Sequence, residues 1–141
     1  MEVIMKKFAL LIIVVTIVLG LGTNLRAENK NFEKWLLETA EENYLLLCED
    51  GYPSVKEAVI LNIIGMKAQY PHFDYHKINI ALEKLVQNHE STTVIKHKAY
   101  LASMYLRHPE LFEIPEIDLG NPNACFKAIA NEFENNLFVE N

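Results

Sequence analysis

Residues 53–71 form the most informative stretch of the chain and read PSVKEAVILNIIGMKAQYP. Ser54 followed three residues later by Glu57 is a capping box, which predicts a helix start. Pro71 ends the helix, because proline cannot continue the hydrogen-bond ladder. The apolar residues between them are Val55, Ala58, Val59, Ile60, Leu61, Ile63, Ile64 and Met66. They are too many for one helix face, so we expect this helix to pack on several sides, at the centre of the domain.

Helical spacing of apolar residues continues on both sides of this stretch, whereas strand-like alternation is nearly absent. The spacing predicts four further helices, over residues 31–49, 74–88, 92–108 and 124–138. We expect Asn123 to cap the last of them. Residues 110–123 contain Pro115, Gly120 and Pro122 and are predicted to be an extended surface connection. The predicted fold class is all-α: a small five-helix domain of antiparallel helical hairpins.

The same spacing predicts which side chains are buried. For the first helix they are Phe32, Trp35, Leu36, Ala40, Tyr44, Leu47 and Cys48. For the fourth they are Val94, Ile95, Ala99, Leu101, Ala102, Tyr105 and Leu106. For the last they are Phe126, Ile129, Ala130, Phe133 and Leu137. We interpret the aromatic residues as core residues rather than as a stacking platform.

The four central helices fall into two pairs of similar sequence. The acidic turn 49–53 leads into Ser-Val-Lys-Glu-Ala-Val, and the turn 89–91 leads into Thr-Val-Ile-Lys-His-Lys-Ala. The second helix of each pair ends at a proline, Pro71 and Pro109, which are 38 residues apart. The phrase from Pro53 to Val59 resembles the second helix of a HEAT repeat, and the resemblance covers about two units, residues 32–112. It implies stacked α-hairpins and a protein-binding surface. The alternative is a five-helix bundle without repeats.

The N-terminal sequence has the features of an export signal. Lys6 and Lys7 precede an apolar run from Phe8 to Leu21, and Ala27 offers a small residue for cleavage. Residues 1–27 are therefore predicted to be a signal peptide or an N-terminal membrane anchor, followed by one domain over residues 28–141. The chain carries a net charge of −6, of which residues 1–27 contribute +2, so the domain carries −8. Such an acidic domain is repelled by nucleic acid and by anionic lipid.

The chain contains two cysteines, Cys48 and Cys125. An even number of cysteines in an oxidising compartment predicts a disulfide between them. The alternative is a pair of buried free thiols, because cysteine is a common core residue.

Few residues suggest catalytic or metal chemistry. His72 and His76 lie four apart with Asp74 between them, a spacing that can bind a metal from one helix face. We favour the alternative that they are solvated histidines at a helix start. The sequence contains no glycine-rich phosphate loop and no nucleophile motif. We predict no catalytic residue, no cofactor and no enzymatic activity.

A basic cluster on the predicted fourth helix stands out in this acidic domain. It consists of Lys96, His97, Lys98 and Arg107, and such a charge asymmetry can steer a protein partner. The predicted function is an exported interaction module or accessory subunit for another envelope or secreted protein. The alternative is a small-molecule or metal-binding helical bundle. The expected location is periplasmic or extracellular, with anchoring in the inner membrane if the N-terminal segment is uncleaved.

Overall fold

A computed structural model describes residues 30–113 and 118–138, so the predicted export signal lies outside the described residues. The described chain contains five α-helices and one short 3-10 helix, and no strand. The α-helices are α1 Lys30–Asp50, α2 Pro53–Gln69, α3 His76–Gln87, α4 Thr93–Arg107 and α5 Pro122–Phe138, and the 3-10 helix is Pro109–Leu111. The predicted all-α, five-helix fold is confirmed. None of the described helices is long and apolar enough to cross a bilayer.

The chain divides into two compact units, Met1–Asn43 and Tyr44–Asn141, with the boundary inside α1. The buried residues of α1 include Leu37, Ala40, Tyr44 and Cys48. The prediction that Phe32 and Trp35 are buried was wrong, because both rings are exposed. Trp35 precedes Leu37 by two residues, which at the helical repeat puts it about 160° away around the helix.

Prolines move two helix starts away from their predicted caps. α2 begins at Pro53 after Tyr52, and no side chain caps it, so the predicted Ser54 cap was wrong. α5 begins at Pro122, and Asn121 rather than Asn123 supplies the capping oxygen, which accepts from the Ala124 N–H at 3.2 Å. In both cases proline suits the first helical position, because its φ is fixed near helical values and the missing N–H has no partner there.

The core of the second unit is built around α2 and α4. The buried positions of α2 are Val55, Val59, Ile60, Leu61, Ile63, Ile64, Gly65 and Met66. This confirms that α2 is packed on several sides. α4 contacts α2, α3, α5 and the 3-10 helix. Val94 at its start is exposed rather than buried as predicted, because it lies outside the stripe formed by Ile95, Ala99 and Ala102.

α2 and α4 begin and end with nearly the same backbone geometry. The residues before them, Tyr52 and Thr92, have φ/ψ of −63°/158° and −65°/156°. The residues after them, Tyr70 and His108, have φ/ψ of −125°/66° and −132°/57°, and each precedes a proline. The second helices of the two hairpins therefore share the backbone geometry of their ends as well as their sequence pattern.

The segment after α4 is more closely packed than the predicted surface connection. Phe112 is only 7% exposed, and its ring lies 5.5 Å from that of Tyr105 and 6.2 Å from that of Phe133. Further along, Leu119 fills the space beside Gly65 of α2, where a Cβ would come within 3.0 Å of its side chain. The connection is therefore attached to the core at two points.

Candidate functional site

The predicted metal site is not assembled by the described residues. His72 and His76 are exposed, and the Asp74 carboxylate accepts a hydrogen bond from the His76 backbone N–H at 3.0 Å. No group of three or more His, Cys, Asp or Glu side chains among the described residues is arranged to hold a metal ion. The local role of Asp74 is thus to satisfy a backbone donor in the first turn of α3.

Two of the four residues in the basic cluster of α4, Lys98 and Arg107, form ion pairs with other helices. The Lys98 ammonium lies 2.7 Å from Glu57 Oε2 and 5.0 Å from the centre of the Phe126 ring. With only 12% of its side chain exposed, Lys98 connects α4 to α2 and to α5. Arg107 pairs with Glu83 of α3 at 3.4 Å. Of the four residues, His97 is exposed and has no ion pair with another described residue, while Lys96 is half-buried.

A chain of polar side chains joins α3 to α4. The buried Ser103 hydroxyl donates to Asn79 Oδ1 at 2.8 Å, and the Asn79 amide donates to Glu83 Oε1 at 3.0 Å. The same Glu83 oxygen also forms the ion pair with Arg107. The chain satisfies the polar groups at this helix contact, so its role is structural.

Both cysteines are free and buried. Burial raises the pKa of Cys48 to about 11, an effect slightly offset by the charge of Lys56. Burial also raises the pKa of Cys125, and the Asp118 carboxylate raises it further. Each thiol is therefore protonated at neutral pH, and a protonated thiol is a poor nucleophile. The disulfide stays a prediction.

Buried tyrosines surround the start of α3. The Tyr75 hydroxyl donates to the Tyr70 carbonyl at 2.9 Å, and the Lys67 ammonium lies 4.9 Å from the centre of the Tyr75 ring. Burial raises the pKa of Tyr44 to about 12, and burial beside Tyr44, Tyr105 and Tyr70 raises that of Tyr75. These hydroxyls stay neutral across the physiological range, so they contribute packing and hydrogen bonds rather than acid–base chemistry.

An open groove of about 620 Å³ runs along α3, between this helix and the last turns of α1. Its lining consists of Leu45, Cys48, Glu49, Lys77, Ile80, Ala81, Lys84, Leu85 and Asn88. Ile80 is 41% exposed in the groove, and Leu46, next to Leu45 on α1, is 56% exposed. The exposed Glu49 and Lys84 lie on the α1 and α3 sides respectively, and neither has an ion-pair partner among the described residues.

The sequence analysis missed this groove. Its signal was Ile80, an exposed apolar residue that falls between the buried Ile78 and Leu82. Ile80 lies outside the buried face of α3. It indicates a surface only once the position of α1 is known.

A second, smaller hollow of about 420 Å³ lies where α2, α4 and the connection to α5 meet. The Glu57–Lys98 pair lies in its wall together with Asn62 and Leu119. Because the two charges neutralise each other there, the hollow offers no uncompensated charge to a ligand.

No protein-family model matches this chain, and neither curated proteins nor solved structures show a significant similarity to it.

Proposed function

We propose that this chain is an exported helical module that binds another envelope or secreted protein, in the periplasm or outside the cell. The observation that carries the proposal is the groove between α1 and α3. An apolar side chain as large as Ile80 is left exposed beside Leu45 in a concave surface. Concave apolar surfaces of this kind bury a partner's side chains at protein interfaces.

We also propose that the two hairpins are HEAT-like units. The matching geometry before and after α2 and α4 supports this, as does the contact between these two helices. In such an arrangement the second helices stack on each other and the first helices form the adjoining surface. The groove would then lie between the first helices, α1 and α3, of successive units. Repeat arrays commonly use such extended surfaces to bind proteins.

The groove fits an amphipathic helix. Its floor is apolar, Lys84 lies on the α3 side and Glu49 on the α1 side. A partner helix with apolar residues at three- and four-residue spacing would insert one side chain beside Ile80. An acidic residue on one flank and a basic residue on the other would pair with Lys84 and Glu49, which would fix the direction of the bound helix.

The surface members of the basic cluster, Lys96 and His97, remain candidates for an additional contact. Lys98 is unsuitable for testing this contact, because its reversal would also break the pair with Glu57. A Lys96→Glu variant leaves that pair in place and is the cleaner test of whether α4 takes part in binding.

The proposal is tested by affinity capture with the full chain from a mild-detergent extract of envelope and secreted proteins. We expect one stoichiometric protein partner with the wild type, and its loss with Ile80→Glu. The matched control is Val94→Glu, which places the same charge at a similarly exposed apolar position outside the groove. Circular dichroism checks that both variants fold. Retention of the partner by Ile80→Glu would exclude the groove, and bait alone with every variant would contradict the function.

A small apolar molecule is the second candidate for the groove. Its volume lies within the range of about 300–1,000 Å³ that is typical of ligand sites. An environment-sensitive apolar dye that binds the wild type but not Ile80→Glu, together with bait alone in the capture experiment, would favour this alternative.

A further inference from the structure

Two exposed aromatic rings lie together in the first turns of α1. Phe32 is 42% exposed and Trp35 is 55% exposed. Their ring centres are 5.7 Å apart and their planes differ by 25°, so the rings are stacked. They lie on the side of α1 opposite Leu37, which is buried. Two stacked aromatic rings present a larger apolar surface than either ring alone, and the exposure of this surface to water is unfavourable in free energy.

The charges around this pair cancel. Lys30 and Lys34 are basic, whereas Glu33 and Glu38 are acidic, and Lys34 forms an exposed pair with Glu38 at 3.7 Å. The patch therefore combines aromatic rings with long lysine side chains and has no net charge. Lysine stems can lie along an apolar surface while their ammonium groups stay in water.

The sequence places this patch close to the predicted anchor. Ten residues separate Leu21, the end of the apolar run that begins at Phe8, from Phe32. Ten fully extended residues span at most about 35 Å. If the apolar run is held in a bilayer, the two aromatic rings are therefore within reach of the same membrane surface.

We propose that Phe32 and Trp35 contact the lipid headgroup region of the membrane that holds residues 8–21. Aromatic rings, and tryptophan above all, concentrate at this depth of a bilayer, where an apolar body and a polar N–H are both accommodated. Because the patch is neutral and the domain that follows is acidic, the contact suits zwitterionic lipid and gains nothing from anionic lipid. This inference is independent of the groove and of any protein partner.

Trp35 is the only tryptophan of the chain, so its fluorescence reports on this patch alone. The full chain, with an intact N-terminus verified by mass, is reconstituted in phosphatidylcholine vesicles and recovered by flotation. We expect the fluorescence emission maximum of Trp35 to lie at a shorter wavelength than in the unfolded chain measured without detergent. We also expect stronger quenching by lipids brominated near the headgroup than by lipids brominated near the chain ends. Water-like emission that brominated lipids leave unchanged would overturn the proposal, as would failure of the chain to float.

The matched control moves the reporter to another exposed aromatic position. The double variant Trp35→Phe/Tyr52→Trp places the only tryptophan at a site that is 70% exposed and follows the acidic Glu49 and Asp50. We expect water-like, unquenched emission from it in the same vesicles. Equal quenching of both reporters would mean that the patch has no special contact, and would overturn the proposal.

Two further measurements separate the causes of the contact. Phe32→Glu should return Trp35 emission toward that of water, because it breaks the stacked pair and charges the patch. Adding phosphatidylglycerol should leave the wild-type quenching unchanged. A requirement for anionic lipid would instead indicate electrostatic attraction, and would contradict a contact carried by the aromatic rings.

Discussion

α2 and α4 occupy equivalent places in the two hairpins and have matching boundaries, but they are stabilised by different interactions. α2 buries large aliphatic side chains, with Ile60, Ile63 and Ile64 fully inaccessible. α4 buries the small Ala99 and Ala102 between larger residues such as Ile95 and Tyr105, and adds the polar contacts of Lys98 and Ser103 to its neighbours. The comparison shows that a shared backbone pattern does not imply a shared source of stability. Substitutions in the two helices should therefore differ in size and in their dependence on pH.

The largest effect is expected from shortening a buried side chain of α2. Ile63→Ala should lower the free energy of unfolding by about 3–4 kcal/mol, because it removes apolar contacts and leaves a cavity. The matched control is Ile80→Ala, the same substitution at a 41% exposed position, which should cost less than about 1 kcal/mol. Denaturant unfolding followed by circular dichroism measures both. Equal losses would mean that α2 is not packed as described.

With both cysteines reduced, alkaline pH should destabilise the protein more through Cys48 than through Cys125. The pKa of Cys48 is raised from about 9 to about 11, so above pH 9 the unfolded state loses this proton while the folded state keeps it. The Cys48 thiol therefore does not affect stability below pH 9 and lowers it by about 2 kcal/mol between pH 9 and 11.

The free energy of unfolding of the wild type, Cys48→Ala and Cys125→Ala as a function of pH tests this. Cys48→Ala should flatten the alkaline slope more than Cys125→Ala does. The absolute stability of either variant does not decide the matter, because each also loses packing. Identical slopes in all three proteins would contradict the assignment to Cys48.

The contact between α2 and α4 can be measured by a double-mutant cycle. Lys98→Met and Glu57→Gln remove the two charges of the 2.7 Å pair, whose side chains are 12% and 36% exposed. We expect a coupling of about 1 kcal/mol, since the pair is only partly shielded from water. The same cycle on the exposed Lys34–Glu38 pair should give a coupling near zero. A zero coupling at both pairs would show that apolar contacts alone join the helices.

The smallest effect concerns the two helix starts. Thr92→Ala should cost about 1 kcal/mol, because the Thr92 hydroxyl accepts a hydrogen bond from the Ile95 N–H at 3.2 Å. Ser54→Ala should change the free energy of unfolding by no more than about 0.3 kcal/mol, since no side chain caps α2. Thermal unfolding of the two variants under identical conditions checks the difference. An equal loss of stability in the two variants would indicate that Ser54 does cap α2.

The sequence predicted the helices well because their apolar spacing extends over several turns. It misplaced three starts by two residues. Pro53 and Pro122 made an earlier start favourable for α2 and α5, whereas α3 begins at His76 rather than at residue 74. It assigned Trp35 to the core because Phe32, Trp35 and Leu36 follow a three- and four-residue spacing. The buried stripe is instead the one that contains Leu37, Ala40 and Tyr44.

The candidate surfaces were harder to predict because they depend on which helices are neighbours. Lys98 belonged to a basic cluster in the sequence, but its partner Glu57 lies 41 residues earlier. The groove needs α1 and α3 side by side, and no local pattern gives that arrangement. Exposed apolar residues such as Ile80 gave a signal, but one that local sequence could not separate from incidental exposure.

The close approach of Leu119 to Gly65 links two positions that are far apart in the chain. A Cβ at position 65 would occupy space next to the Leu119 side chain. A larger residue at either position therefore requires a smaller residue at the other, or a shift of its side chain. In related sequences, the two positions should therefore vary together: an alanine or serine at 65 should accompany a smaller residue at 119. A collection of relatives that shows this covariation would verify the attachment of the connection to α2 without a further structure.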